Sequence, residues 1–197
     1  MKTFDQYLLE KNATYSYGCV MLDLTDKSIN NQLITQFIKI LQQQIPDNEL
    51  YIDKKDPEKF GKETEYHCTL LFGLFPEVTE EDVKRLTTEW APVDLKMTGI
   101  SIFTNPDKDY DVVKLDVDPK TLKKYNKDLQ KFPFASDFPD YKPHVTLAFV
   151  KKGEGSKYEL KFDEPLIATD LTNITYSFAD KTKKKVHYKL VFKADSK

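Results

Sequence analysis

Apolar and polar residues follow one another along the chain in two similar units, each a strand, a helix and a second strand. Period-two alternation and short apolar runs predict the strands, and apolar residues at helical spacing predict the helices. In chain order the units are a strand at 17–24, a helix at 28–44 and a strand at 66–74, then a strand at 110–117, a helix at 119–129 and a strand at 144–150. The opening strands share the pattern VMLDL and VKLDV. This repetition predicts an α+β fold with pseudo-two-fold symmetry.

Further elements flank these units. Thr79, followed three residues later by Asp82, is a capping signal that predicts a helix at 79–90. Strands are predicted at 94–103, 171–178 and 186–192, and the last two form a hairpin. The apolar face expected on the helix at 28–44 consists of Ile29, Leu33, Phe37, Ile40 and Leu41.

The length of 197 residues favours one domain. The repeat predicts that this domain, residues 1–197, has two lobes at approximately 15–105 and 106–197. We expect helices on the outer faces of the sheets and an open cleft between the lobes. The oligomeric state cannot be predicted from these patterns.

Composition limits the classes of partner. The formal net charge of −2 argues against a long nucleic-acid duplex such as DNA. No stretch approaches the ~20 apolar residues of a membrane span, and the N-terminus lacks an apolar signal region. Cys19 and Cys68 lie in apolar runs, as reduced core thiols of a cytoplasmic protein do. Arg85 is the only arginine, so contacts to phosphate are expected from lysine, hydroxyl or backbone amide groups.

Two of the three histidines begin the same pattern H-x-T-L, in His67-Cys68-Thr69-Leu70 and His144-Val145-Thr146-Leu147. Because side chains alternate across a strand, each histidine should share a face with the threonine two residues later. The opposite, buried face is predicted to carry Leu70, Phe72, Leu147 and Phe149. The third histidine, His187, is expected at the surface or at a sheet edge.

This set of side chains suits cleavage of a phosphodiester. One imidazole can remove a proton from the attacking oxygen while the other gives a proton to the leaving oxygen, since their ordinary pKa lies near 6.5. The threonine hydroxyls can bind the non-bridging oxygens. We expect the two imidazoles to face each other across a gap of roughly 5–8 Å, with one hydrogen bond on each side of the phosphate.

The paired motifs resemble the 2H phosphoesterase superfamily, whose hallmark is two H-x-[S/T]-x motifs, one in each lobe. The resemblance covers roughly residues 17–150 and implies mostly antiparallel sheets, no cofactor and a metal-independent phosphodiesterase. It also implies that His67 and His144 carry the acid–base catalysis and that Thr69 and Thr146 bind phosphate.

The substrate stays open at this point. The compact chain is similar to the phage anti-CBASS enzymes, which implies cleavage of 3′,5′-linked cyclic oligonucleotides through attack by their own 2′-OH, in the host cytoplasm. The main alternative is an RNA 2′,3′-cyclic phosphodiesterase, and a non-catalytic nucleotide-binding module is a third interpretation. Zinc is not expected, because each motif offers threonine rather than a carboxylate beside its histidine.

Aromatic and charged residues near the motifs are candidates for contacts to the substrate. Tyr141 and Lys142 directly precede the second motif, within an aromatic loop at 133–143 that also holds Phe134 and Phe138. They can stack on a base and contact phosphate, or they can pack the loop onto the domain. Tyr17 is a further candidate for stacking.

Two other features have open interpretations. The charged loop 53–65 is either a lid or a solvated connector. Asp23 and Asp116, at equivalent places in the opening strands, either orient a histidine or pair with a lysine.

Overall fold

The structure is a computed structural model that describes residues 17–24, 29–55, 60–136, 140–179 and 185–190. Ser28, the predicted cap of the first helix, lies outside these residues. The described part contains eight strands and three α-helices. In chain order they are β1 (Gly18–Asp23), α1 (Ile29–Gln43), β2 (His67–Leu74), α2 (Glu80–Thr87), β3 (Val93–Thr104), β4 (Tyr110–Val117), α3 (Pro119–Leu129), β5 (His144–Lys151), β6 (Leu160–Leu171), β7 (Asn173–Ser177) and β8 (Lys185–Lys189).

The strands form one eight-stranded antiparallel sheet in the order β6-β3-β4-β5-β2-β1-β7-β8. The two halves of the sheet, β6-β3-β4-β5 and β2-β1-β7-β8, meet where Cys68 of β2 pairs with Val145 of β5. These halves differ from the predicted lobes of 15–105 and 106–197. β3 pairs in the half of β4 and β5, and the C-terminal strands β7 and β8 lie in the half of β1 and β2. The outer strands of each half therefore do not follow the order of the chain.

One face of the sheet carries the helices and a continuous hydrophobic core. α1 packs on β5 and β6, whereas α3 packs on β2 and β3 and contacts α2. The α+β fold class and the mostly antiparallel sheet are therefore confirmed, and the helices cover a single face of one continuous sheet. The opposite face stays open for the side chains of the two motifs.

The predicted apolar face of α1 is partly wrong. Leu33 and Ile40 are 58% and 53% exposed, whereas Ile34 and Ile38 are buried. The buried face also contains the polar Asn31 and Gln42, whose amides donate to carbonyls of the sheet. An apolar pattern could not find this face, because two of its members are hydrogen-bonded amides.

β6 was missed in the sequence. Its sequence LKFDEPLIATDL contains a proline and four charged residues, which disfavour a strand. β6 is an edge strand, and its pairing with β3 is irregular between Lys161 and Leu166, the stretch that holds Pro165. Proline is tolerated at such positions because its missing N–H is not needed there.

Candidate active site

The two motifs lie on the central strands β2 and β5, at the junction of the two halves. His67, Thr69, His144 and Thr146 are each partly exposed, and the residues between them, Cys68 and Val145, are fully buried. The two motifs therefore point to the open face of the sheet. Continued by one residue in each direction, the pairing of Cys68 with Val145 places His67 opposite Thr146 and His144 opposite Thr69.

This register makes the two histidines diagonal neighbours across adjacent strands. Diagonal neighbours in an antiparallel pair lie roughly 7–8 Å apart, so aromatic or long side chains at these positions can reach a common ligand. The gap of roughly 5–8 Å between the rings stays a prediction.

Each imidazole is held in the same way by the segment that precedes its strand. Nδ1 of His67 lies 2.6 Å from the carbonyl oxygen of Glu65, and Nδ1 of His144 lies 2.9 Å from that of Lys142. A carbonyl oxygen only accepts, so each Nδ1 carries a proton and donates it. Nε2 of each ring is then the nitrogen that can meet a substrate.

The two rings differ in their surroundings. Burial lowers the pKa of His144 below its usual range, and the positive charges of Lys114 and His67 act in the same direction. The hydrogen bond to the Lys142 carbonyl and the carboxylate of Asp116 oppose this shift. His144 is therefore neutral at physiological pH, the state of a ring that can accept a proton.

A buried lysine, which the sequence interpretation did not select, lies beside His144. Lys114 is 4% exposed, its Cα pairs with that of Thr146, and its ammonium donates to Ser101 (2.7 Å) and Asp116. The ammonium also lies 4.2 Å from the centre of the Phe103 ring, which meets His144 edge-on at 4.9 Å. Strand alternation from Asp116 could have indicated Lys114, but Ser101 and Phe103 lie on β3 and needed the fold.

The other half carries a different polar chain. Thr175 donates to Asp23 (2.6 Å) and lies 2.6 Å from Nδ1 of His187. Met21 stands where the second half has Lys114, since it pairs with Thr69 of the first motif. His187 lies on the edge strand β8 with a side chain 65% exposed, as predicted, but it lines a pocket together with His67.

Asp23 and Asp116 each pair across the strands with a motif histidine, Asp23 with His67 and Asp116 with His144. Their hydrogen bonds, however, go to Thr175 and to Lys114 with Ser101. The interpretation that Asp116 pairs with a lysine is therefore correct, and for both rings a backbone carbonyl supplies the partner of Nδ1.

Both motif strands contain a bulge directly after the motif threonine. The pairing of β1 with β2 passes over Leu70, and that of β4 with β5 passes over Leu147. An extra residue in one strand shifts the alternation of faces. The predicted burial of Phe72 and Phe149 is therefore wrong, since Phe72 is 49% exposed and Phe149 contacts Phe60 and Tyr110 outside the helix-covered core.

Two buried amides hold the bulged carbonyls. Gln42 of α1 donates to the carbonyl of Leu147 (2.8 Å), and Asn126 of α3 donates to that of Leu70 (2.7 Å). Gln42 also donates to the Glu63 carbonyl (2.7 Å) and accepts from Tyr66 (2.7 Å). A helix on the far face of the sheet thus fixes the backbone next to each motif.

Comparison with known proteins identifies the chain. A model of the family of the anti-CBASS protein Acb1 matches residues 52–187, more than half of the chain and both motifs. The chain belongs to the Acb1 family. No curated protein matches it.

Solved structures share the fold at low sequence identity. TT0787 of Thermus thermophilus superposes with a TM-score of 0.55 and 17% identity over 89% of this chain and 95% of that one. Usb1 of Kluyveromyces marxianus with uridine monophosphate gives 0.52 and 12% over 89% and 99%. A crystal structure of a phosphoesterase gives 0.50 and 15% over 89% and 96%. The fold is that of the 2H phosphoesterases, and the family together with this fold confirms the prediction of a 2H-type phosphodiesterase.

The three residues predicted to contact substrate in this Acb1 family member have different surroundings in the structure. The Tyr141 hydroxyl donates to the Thr69 carbonyl (3.1 Å) and its side chain packs against the core, which favours the packing interpretation over stacking. Lys142 is exposed, and its carbonyl binds His144. Tyr17 meets Phe72 edge-on at 6.0 Å, so these two aromatic rings lie side by side near the first motif. Phe138 lies outside the described residues.

The loop 53–65 is described except for residues 56–59. Its second part runs along β5, since Gly61 accepts from Phe149 (2.8 Å) and Glu63 donates to Leu147 (2.9 Å). These bonds favour a connector over a lid for residues 61–63.

Within the described ranges, no three histidine, cysteine or acidic side chains are grouped so that they could hold a metal ion. Among the same residues no helix is long and apolar enough to span a bilayer. Cys68 is a fully buried core residue, and this burial raises the pKa of its thiol to about 12.

Proposed function

We propose that this Acb1 family member cleaves 3′,5′-linked cyclic oligonucleotides by attack of the substrate's own 2′-OH, without a metal. His67 and His144 act as general acid and base, and Thr69 and Thr146 bind the non-bridging oxygens of the phosphate. Tyr17 and Lys142 are the proposed contacts to base and phosphate outside this centre. The proposed place of action is the cytoplasm, in a host cell if the chain is viral.

The observation that carries the proposal is the matched orientation of the two imidazoles on one open face. Each Nδ1 binds the carbonyl two residues earlier in the chain, so both Nε2 atoms are left for a shared ligand. Two imidazole nitrogens that meet one ligand can serve both sides of one phosphorus atom in an in-line displacement.

The surroundings of the rings support a division of their roles. We assign the base to His144, since its lowered pKa keeps it neutral at physiological pH. His67 is then the acid. In the first step the base takes the 2′-OH proton, the 2′-oxygen bonds to phosphorus, and the bond to the 5′-oxygen breaks as the acid gives that oxygen a proton. The product is linear and ends in a 2′,3′-cyclic phosphate.

A second candidate follows from the same geometry. If the substrate already carries a 2′,3′-cyclic phosphate at an RNA end, water takes the place of the 2′-OH. The structure of Usb1 with uridine monophosphate shows that a protein of this fold can hold a mononucleotide.

The test is a substrate screen in the presence of a chelator. Cyclic di- and trinucleotides and RNA ending in a 2′,3′-cyclic phosphate are incubated with the wild type and with His67→Ala and His144→Ala. We expect the wild type to linearise a cyclic oligonucleotide and each variant to lose roughly 10²–10⁴-fold in rate, the usual contribution of one general acid or base. Lys189→Ala, an exposed residue on the edge strand, is the matched control.

Other outcomes assign the protein differently. Turnover of the RNA end alone favours the cyclic phosphodiesterase, and tight binding without wild-type turnover favours a nucleotide-binding module. Water enriched in ¹⁸O separates the two reactions, because attack by 2′-OH leaves no label in the first product.

A further inference from the structure

A pocket extends from His67 along the first half of the sheet, away from His144. Besides His67, its lining includes Met21, Asp23, Glu65, Thr175, Lys185 and His187. Its volume of about 230 Å³ lies below the roughly 300–1,000 Å³ of pockets that hold a whole drug-sized ligand. The pocket therefore suits one part of a larger substrate, and a group attached to a phosphate at His67 enters it first.

The hydrogen bonds in the wall of this pocket fix the proton positions on His187. The Asp23 carboxylate only accepts, so the single hydroxyl proton of Thr175 goes to Asp23. The Thr175 oxygen must then accept from its other neighbour, Nδ1 of His187 at 2.6 Å. Nδ1 carries the proton, and in the neutral ring Nε2 is a hydrogen-bond acceptor.

The charged side chains around the pocket are two carboxylates, Asp23 and Glu65, and one ammonium, Lys185, which pairs with Glu65. A second phosphate would add a negative charge beside two carboxylates and would find an acceptor, not a donor, at Nε2 of neutral His187. Within the described part of the chain, Nε2 of His187 has no hydrogen-bond partner. The pocket thus favours an uncharged group that brings its own N–H or O–H.

We propose that His187, oriented by Thr175 and Asp23, is a specificity-determining residue that accepts a hydrogen bond from the nucleoside next to the phosphate at His67. The donor is either the exocyclic amino group of the base or a ribose hydroxyl. This inference rests on the proposed function for the position of the phosphate, and it concerns binding rather than the chemical step.

The test measures binding and so does not depend on turnover. Nucleoside 3′-monophosphates are titrated at pH 8, where imidazoles are ordinarily neutral. Adenosine against purine riboside and cytidine against uridine remove the amino group, and ribose against 2′-deoxyribose removes the hydroxyl. The variants are His187→Phe, which keeps a ring without an acceptor, and His187→Gln, which keeps an acceptor oxygen. Lys189→Ala, on the same strand and outside the pocket, is the matched control.

We expect the wild type and Lys189→Ala to bind one donor-bearing ligand of these pairs roughly 3- to 10-fold more tightly, the effect of one hydrogen bond. His187→Phe should abolish this preference and His187→Gln should retain most of it. A preference unchanged in His187→Phe overturns the proposal. Equal weakening of all ligands and of inorganic phosphate overturns it too, because His187 then binds phosphate. If the wild type turns over none of the substrates but shows the binding preference, the proposed function is refuted and the proposal for His187 is not.

Discussion

Asp23 and Asp116 occupy equivalent positions in the two halves of the sheet, each opposite a motif histidine, yet they bind different partners. Asp116 binds the ammonium of Lys114, a buried side chain. Asp23 binds Thr175, which in turn meets His187, an exposed imidazole. The backbone of the motifs is repeated, whereas the electrostatic surroundings are not.

In the proposed reaction, this difference divides the roles of two otherwise similar motifs. One oxygen at phosphorus must lose a proton and the other must gain one, so two identical imidazoles would compete for the same state. Lys114 lies on the side of His144 and contributes to the lowering of its pKa. The half with His187 has Met21 at the position of Lys114 and offers a pocket beside His67.

The pH dependence of turnover is the strongest way to break the comparison. A base must be deprotonated, so the fall of the rate at low pH should reflect His144, and the lowered pKa places this limb below the usual range of an imidazole. The fall at high pH should reflect the acid, His67. His144→Ala should therefore lose the low-pH limb and His67→Ala the high-pH limb, each with a rate lower by roughly 10²–10⁴-fold.

Initial rates under single-turnover conditions from pH 5 to 9 check this assignment. The double variant should be little slower than either single variant, since the two rings act as a unit. If His144→Ala lost the high-pH limb and His67→Ala the low-pH limb, His67 would be the base and His144 the acid. A flat wild-type profile with chemistry rate-limiting would contradict paired imidazole catalysis.

The buried amides test whether both halves need the same support at their bulges. Gln42→Leu removes hydrogen bonds to Leu147, Glu63 and Tyr66. We expect a loss of about 2–3 kcal/mol in the free energy of unfolding, at about 1 kcal/mol for each bond. Asn126→Leu removes bonds to Leu70 and to the exposed Gln130 and should cost about 1–2 kcal/mol.

Urea denaturation measures both losses. Gln43→Leu, the exposed neighbour of Gln42 on α1, is the control and should change the free energy of unfolding by less than about 0.5 kcal/mol. A loss as small for Gln42→Leu would show that the Leu147 carbonyl is sufficiently held by the N–H of Glu63.

The sequence predicted the strands and helices of the two units and the helix that follows Thr79, because apolar spacing, Pro119 at a helix start and the Thr79–Asp82 cap are local signals. It also placed both histidines on the open face. It failed where a bulge shifts the alternation, as at Phe72, since the extra residue is fixed by pairing with another strand.

The site was predictable only as far as the two motif strands extend. Ser101 and Thr175 come from β3 and β7, strands that reach Asp116 and Asp23 only through the order of the sheet. His187 was predicted correctly as an edge residue, but its place in the pocket of His67 depends on two intervening strands. Long-range pairing of this kind leaves no mark in local spacing.

Replacing Lys114 by the residue at the equivalent position of the first half tests the comparison further. Lys114→Met introduces the residue that the first half has at Met21. Because Lys114 contributes to the lowering of the His144 pKa, its removal should raise that pKa and move the low-pH limb of the rate to higher pH. Loss of the bonds to Asp116 and Ser101 should cost about 1–2 kcal/mol of stability.

The limb is measured with the same assay, and unfolding is followed in urea. Lys114→Met/Asp116→Asn also removes the carboxylate, which acts on His144 in the opposite direction, so its limb should move less than that of the single variant. A limb that stays in place in Lys114→Met would show that Lys114 does not contribute to the lowered pKa of His144.

The smallest expected effect concerns Tyr141, which joins the loop before the second motif to the strand of the first. Tyr141→Phe removes the hydrogen bond to the Thr69 carbonyl and should cost about 0.5–1.5 kcal/mol in urea denaturation. If the ring packs the loop, Tyr141→Phe and Tyr141→Leu should share one KM for a cyclic dinucleotide while Tyr141→Leu unfolds more readily. If the ring stacks on a base, Tyr141→Leu should instead raise KM well above that of Tyr141→Phe, because only the leucine lacks an aromatic face. The burial of this side chain against the core favours the first outcome, in which the loop before the second motif supports the strand of the first.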